Sequence, residues 1–265
     1  MKQNLISNLT ILKRIKRKSL YKPLFIKYSI EFLVIVFGIL ISFNIQTWYE
    51  EKKEIKEIND SILTLVDEIE SNIFYCEEHL MQLNNMKKVN NLILDNYPNI
   101  SKNNLIEWHN VYPFGHSYLK NGELRYWTSP EDYDNLYLWM ITWWNTFAQN
   151  EIYFNTLMAS GLLLNISDSK IREEIESVYI TKKKRVQVNE SLLKSVSDKI
   201  FKWVEDQRDN SINYITRDEI FESKLDNQLF NLLEDRAHRI ELRIMSLENY
   251  IESLKSLKSN IENTL

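Results

Sequence analysis

The sequence predicts an all-α protein, in which an N-terminal transmembrane helix continues into a long amphipathic helix that packs in an antiparallel helical bundle or coiled coil. Glycine and proline are scarce, since only four of each occur in 265 residues, whereas β-rich folds need these residues at their turns. One strongly apolar stretch lies near the N-terminus. Apolar residues at helical spacing then recur through most of the remaining chain.

Basic residues are concentrated before the apolar stretch. Residues 1–27 contain eight lysines and arginines and no acid, whereas the other 238 residues carry 25 basic and 37 acidic side chains, a net charge of −12. By the positive-inside rule, residues 1–27 are predicted to form a basic cytoplasmic N-terminal segment. The acidic remainder argues against nucleic acid as a partner.

The apolar stretch is long enough to cross a bilayer. Eleven of the fourteen residues from Phe32 to Ile45 are Phe, Leu, Val or Ile, and each favours insertion by roughly 0.3 to 0.6 kcal/mol at a helix centre. As a helix, residues 28–48 would span about 30 Å, the thickness of a bilayer core. We predict a transmembrane signal anchor at 28–48, with Trp48 at one interface; a buried soluble helix and a cleaved signal peptide are the alternatives.

Four residues of this predicted span lie on one side of the helix. At 100° per residue, Glu31, Gly38, Ser42 and Gln46 fall within an arc of about 80°. The Gly38/Ser42 spacing allows two helix backbones to approach closely in lipid. These four residues, which we call the polar stripe, are a candidate surface for helix association. The alternatives are that Glu31 and Gln46 simply lie at the headgroup boundaries, or that several copies form a polar path.

Residues 49–265 are predicted to form a helical bundle domain with an irregular insert at about 96–128. Its first helix continues from the membrane span to about Leu94, because apolar residues recur there at steps of three and four. These residues are Ile55, Ile58, Ile62, Leu65, Ile69, Ile73, Cys76 and Leu80. Turn-forming residues at 96–101 then end the helix.

An aromatic helix is predicted after the insert. Ser129 and Pro130 provide an N-cap and a first helical position. Beyond them, one predicted face carries Leu136, Trp139, Met140, Trp143 and Phe147. Core packing explains this face most simply, and the alternative is an interaction groove at Trp139, Trp143 and Phe147.

Local signals divide the remaining sequence into further helices. A helix is expected from Glu151 to Gly161, and Asp168 is expected to cap a long helix that reaches Val204. The basic run at 182–185 within that helix is interpreted as a solvated face. Thr216 and Glu219 form a capping box at the start of the last helical segment.

Apolar residues at intervals of seven end the chain: Ile240, Leu247, Leu254 and Ile261. Such a seam is typical of a coiled coil or a bundle helix. It could return onto the first helix of the same chain or pair with another chain, and the single-chain bundle is the simpler prediction.

The residue types that usually supply catalytic or metal sites are few and scattered. The four histidines, His79, His109, His116 and His238, belong to no metal-binding motif, although His109 and His116 both flank the irregular insert. The single cysteine, Cys76, rules out an internal disulfide and a Cys-rich metal site. We therefore predict no catalytic, cofactor-binding or metal-binding residue, and a protein that is not an enzyme.

The segment EFLVIVFGILISFNIQTWYEEKK (Glu31 to Lys53) resembles the opening signature of a family, the uncharacterised DUF6090-type group of bacterial membrane proteins common in Bacteroidota. The matching residues are Glu31, Gly38 to Ile41, Ile45, Trp48 and Glu50, with Ser42 in place of the usual alanine. A second similarity is YFNTLMASGLLLNISDSKIREEIESVY at 153–179. The resemblance implies a single-pass, helical envelope protein of bacteria, and it supplies no activity; we expect the bacterial inner membrane.

Together, these features favour a protein that acts by protein interaction, as a scaffold, a sensor or an accessory subunit of an envelope complex. The expected partners are membrane lipid and either further copies of the chain or another envelope protein. Residues 49–265 would be extracytoplasmic. The alternative is a self-assembling membrane effector or pore-forming protein, for example in a stress or defence response.

Overall fold

The computed structural model describes the backbone of residues 2–115, 118–120, 123–125 and 136–264, and the side chains of residues 25–115, 137–221 and 223–264. The chain forms two compact units, Met1–Asn59 and Asp60–Leu265. Helix α1 comprises Lys2–Asp95 and ends at the predicted turn. The all-α prediction is confirmed, since nearly all described residues are helical.

The first unit contains a helix that is long and apolar enough to cross a membrane. In the described part of the chain, this is the one helix with that combination of length and composition, and none of its most apolar 18-residue window is buried. Ile35 and Phe43, for example, are 61% and 66% exposed. Burying such a surface in water-excluding surroundings is favourable by about 25 cal/mol per Å².

The second unit contains the remaining elements. In chain order these are α2 (Lys102–Val111), β1 (Tyr118–Lys120), β2 (Glu123–Arg125), α3 (Leu136–Thr142), α4 (Ile152–Ser160), α5 (Leu162–Asn165), α6 (Ser169–Glu176), a π-helical turn (Ser177–Lys182), α7 (Lys183–Asp209), α8 (Arg217–Ser223) and α9 (Asn227–Thr264). The two short strands pair antiparallel, with Leu119 opposite Leu124. They lie in the region predicted to be irregular.

Helix α9 packs antiparallel on the part of α1 that belongs to the second unit. Three ion pairs show the opposite chain directions: Glu70–Lys258 at 3.1 Å, Glu77–Lys255 at 2.6 Å and Lys87–Glu241 at 2.6 Å. The four apolar residues of the predicted seam, which are spaced seven positions apart, are all fully buried. The seam therefore pairs within the chain, as the simpler prediction had it.

Local capping signals begin and end several helices where the sequence predicts. Asp168 accepts hydrogen bonds from the backbone amides of Lys170 and Ile171 at the start of α6. Thr216 and Glu219 form a reciprocal capping box before α8. Gly161 ends α4 with φ of 76°, a left-handed conformation that glycine adopts without strain.

The predicted aromatic helix is wrong beyond Thr142. Helix α3 ends there, and residues 143–150 run without regular secondary structure. Asn145 adopts φ of 56°, which a continuing right-handed helix does not allow. Phe147 therefore does not extend the face that carries Trp139, whereas the backbone N–H of Trp143 still donates to the carbonyl oxygen of Trp139 at 3.0 Å. The predicted cap at Ser129 and Pro130 lies outside the described residues.

Candidate functional site

Arg236 of helix α9 holds the end of α3 through backbone carbonyls. Its Nη2 donates to the carbonyl oxygen of Trp143 at 2.7 Å, and its Nη1 donates to Ser197 Oγ at 3.0 Å. The side chain is fully buried. A cation beside the carbonyl end of a helix is favourable, because the last carbonyls lack partners in the helix itself.

Arg243, two turns further along α9, holds the next residues of the segment. It donates to the carbonyl oxygens of Trp144 and Asn145, and its Nη2 lies 3.0 Å from His79 Nε2. Because arginine has no acceptor, this nitrogen of His79 must be unprotonated and must accept the bond. Three elements, α1, α9 and the 143–150 segment, therefore meet at one guanidinium.

Both guanidiniums are buried without an acidic partner. Among the described residues, no carboxylate lies within 4.0 Å of either group, and each retains one Nε atom without a hydrogen-bond partner. Burial and the nearby Arg243 lower the pKa of Arg236 to about 9, and burial lowers the pKa of Arg243 to about 10 against an opposing attraction to Glu190. Both remain charged at pH 7.

A cleft of about 400 Å³ lies beside the 143–150 segment. Its lining residues are Tyr75, Glu78, His79, Gln82, Gly115, Trp143 and Asn145. Burial, together with Arg243, lowers the pKa of His79 to about 3, so this side chain is neutral at pH 7. The Nδ2 atom of Asn145 is buried and has no hydrogen-bond partner.

Only one of the three predicted groove residues lines this cleft. Trp143 does so, whereas Phe147 is buried. Trp139 stacks on Phe114, with 5.2 Å between ring centroids and 7° between ring planes. A Cβ atom on Gly115 would lie 2.5 Å from the Trp139 ring, so this close approach requires glycine. The ring centroids of Trp139 and Trp143 lie 6.3 Å apart, whereas Phe147 is buried. The interaction groove at Trp139, Trp143 and Phe147 stays a prediction.

The arginine pair was missed in the sequence, although a signal for it exists. Arg236 and Arg243 belong to a second series at intervals of seven, together with Leu229, Tyr250 and Leu257, and every member of this series is buried. Arginine at two inward positions of an apolar repeat indicates buried cations with specific partners. The sequence does not show that the partners are backbone carbonyls more than 90 positions away.

A second surface lies between α7 and α9 and is called here the basic groove. It encloses about 670 Å³ and is lined in part by Lys184, Arg185, Val188 and Met245. Val188 and Met245 are 47% and 52% exposed. The interpretation of residues 182–185 as a plain solvated face is incomplete, since these cations border exposed apolar side chains.

The four basic residues at 182–185 have different surroundings. Lys182 donates to Ser253 Oγ at 2.8 Å, and Lys183 pairs with Glu151. Lys184 and Arg185 are exposed and form no ion pair with a described carboxylate. The π-helical turn ends at Lys182, shortly before the last two cations. Turns of this kind are frequent at functional sites.

The polar stripe of the first unit satisfies its polar groups within the helix. Ser42 Oγ donates to the carbonyl oxygen of Gly38 at 2.8 Å, and Gln46 donates to Glu50 at 2.9 Å. Lys27 lies 3.9 Å from Glu31. A Cβ atom at Gly38 would meet no atom within 4 Å, so the surface beside this glycine is open.

The histidines are separated in the structure as far as it describes them. His109 is buried, and its Nε2 lies 2.9 Å from the carbonyl oxygen of Phe114. His238 is exposed on α9, and His116 lies outside the described residues. Within the described part of the chain, no three His, Cys, Asp or Glu side chains are arranged to hold a metal ion.

Comparison of this chain with protein-family models, curated proteins and solved structures found no match. The resemblance to the DUF6090-type group therefore stays a prediction from the two quoted motifs.

Proposed function

We propose that the protein is anchored by a single span in a bacterial inner membrane and acts by protein interaction, as a scaffold, sensor or accessory subunit of an envelope complex. The unburied apolar helix supports the anchor, because soluble proteins rarely expose so large an apolar surface. The excess of basic residues before it supports a cytoplasmic N-terminus and an extracytoplasmic helical domain.

The observation that carries the interaction role is the basic groove. Lys184 and Arg185 lie beside the exposed side chains of Val188 and Met245. The part of the chain after residue 27 carries a net charge of −12, so these cations stand out from their surroundings. Such a surface suits a partner segment with acidic and apolar residues. Exposed methionine adapts to several apolar shapes, and the cations add specificity and speed of association.

Site-specific photo-crosslinking in intact cells tests this role. A photoreactive residue at Met245 is expected to form discrete adducts, and the double variant Lys184→Glu/Arg185→Glu is expected to remove them. Phe74 is a matched control position, because it is also apolar and 72% exposed but lies on α1. Adducts at Phe74 equal to those at Met245, or adducts that survive the double variant, would contradict the proposal.

The proposed topology is tested by labelling a cysteine with a membrane-impermeant maleimide. The native thiol is unsuitable, because Cys76 is fully buried and burial raises its pKa to about 12. Ser259→Cys in a Cys76→Ser background places the thiol on an exposed part of α9. Labelling in intact cells is expected; labelling only after the cells are opened would reverse the topology.

A self-assembling membrane effector is the second candidate. Its support is the open surface beside Gly38 within the polar stripe, where a second helix could approach closely. In vesicles that contain the protein, dye leakage abolished by Gly38→Leu and retained by Val36→Leu would favour this function. Leakage that is absent, or equal in both variants, would count against it.

A further inference from the structure

We propose that the cleft beside residues 143–145 binds a small organic anion, a carboxylate joined to a planar apolar group. The cleft and the basic groove share no lining residue. This binding site is therefore independent of the proposed partner surface, and the two can be tested separately.

Asn145 lines the floor of the cleft and has a buried side-chain donor without a partner. Asn145 is only 9% exposed, and its Nδ2 has no hydrogen-bond partner. Its backbone is held in a left-handed conformation, while Arg243 binds its carbonyl oxygen. A buried donor without a partner is costly, so a ligand oxygen that accepts from Nδ2 would relieve that cost.

The charge around the floor favours an anion. Arg243 contacts both His79 and Asn145, which line the cleft, and no described carboxylate lies within 4.0 Å of its guanidinium. His79 is neutral and accepts from Arg243 through Nε2, so its proton is on Nδ1 and the imidazole adds no negative charge. The positive charge of Arg243 behind these residues and the side-chain amide of Asn145 both favour a carboxylate.

The walls of the cleft determine the rest of the ligand. Trp143 is half-buried and lines the cleft together with Tyr75, so a planar apolar group can pack against an aromatic side chain there. Glu78 is exposed and also lines the cleft. Its negative charge disfavours an anion nearby, so the carboxylate must point toward Asn145.

Binding is tested with benzoate as the probe and benzamide as its neutral counterpart. The full-length protein in detergent micelles carries 5-fluorotryptophan, and Trp143→Phe identifies the resonance of that residue. Millimolar benzoate is expected to shift the Trp143 resonance saturably, with affinity at least about tenfold above that of benzamide. No shift with benzoate, or equal shifts with both probes, would overturn the proposal.

Three variants then examine the floor. Asn145→Asp replaces the donor by a carboxylate of similar shape and is expected to weaken benzoate binding by at least about tenfold through repulsion. Asn145→Gly suits the left-handed backbone, and its loss of binding would come from the missing amide alone. Asn155→Asp, on an exposed position of α4, is the matched control. Unchanged affinity in Asn145→Asp and Asn145→Gly would overturn the assigned role.

Discussion

The buried, neutral His79 makes stability depend on pH below neutrality. Its pKa falls from an ordinary 6.5 to about 3 in the folded protein, because burial and Arg243 both disfavour the imidazolium. The unfolded chain therefore binds a proton between these values that the folded chain does not. The contribution of His79 to the free energy of unfolding is therefore fully present above pH 6.5 and is lost as the pH falls toward 3.

The size of this loss in stability depends on how far the pH lies below the pKa of His79 in the unfolded chain. A pH of 5 is about 1.5 units below the pKa of the histidine in the unfolded chain, and each unit is worth about 1.4 kcal/mol. His79 should thus lower the free energy of unfolding by about 2 kcal/mol between pH 7.5 and pH 5. In His79→Gln, an amide oxygen can still accept from Arg243 without titrating, so this contribution should vanish.

Urea unfolding of the full-length protein in micelles, followed by tryptophan fluorescence, measures the difference. Wild type and His79→Gln are compared at both pH values, so that carboxylates common to both proteins cancel. His238→Gln is the matched control, because His238 is exposed on α9. Equal pH dependence in wild type and His79→Gln would refute the assignment of a neutral, buried His79.

Three further predictions concern the same part of the fold. Gly115→Ala should lower the free energy of unfolding by about 2 kcal/mol or more, because the backbone is left-handed and a Cβ would meet the Trp139 ring. Gly161→Ala, where the space is open, should cost only about 1 kcal/mol, and urea unfolding measures both variants. Arg243→Met should accelerate amide hydrogen exchange in residues 144–150 at least about tenfold relative to α4. The reason is that the carbonyl oxygens of Trp144 and Asn145 lose their charged donor, which loosens this segment. Unchanged exchange would contradict this prediction. Cys76 should react with maleimide in urea and not in the folded protein, and rapid labelling of the folded protein would show that the site opens.

Signals carried by neighbouring residues predicted much of the fold. Two helices begin where the side chains of Asp168 and Thr216 accept hydrogen bonds from backbone amides two or three residues ahead. Helix α4 ends at Gly161 because of that residue's left-handed backbone. Leu65 and Leu247 are buried, because helical spacing alone places each of them on the apolar face of its helix. These features require no knowledge of distant parts of the chain.

The candidate site could not be predicted in the same way. Met140 and Trp143 belong to an apolar pattern that would continue as a helix, yet α3 ends at Thr142. Arg236 looks like one charge among many on a polar helix until its carbonyl partner, 93 positions earlier in the chain, is known. The positions of Trp139, Trp143 and Phe147 relative to one another depend on that unpredicted end.

By itself, the sequence determined an all-α chain with one apolar, lipid-compatible helix, a basic N-terminal segment and an inward-facing seam. Composition, charge order and periodicity suffice for these features, since each depends on the identity and spacing of residues. Only the tertiary structure decided where α3 stops, which cations are buried and where Asn145 is left with an unused donor. Those features depend on contacts between residues far apart in the chain, because a carbonyl finds its partner only after the helices have packed.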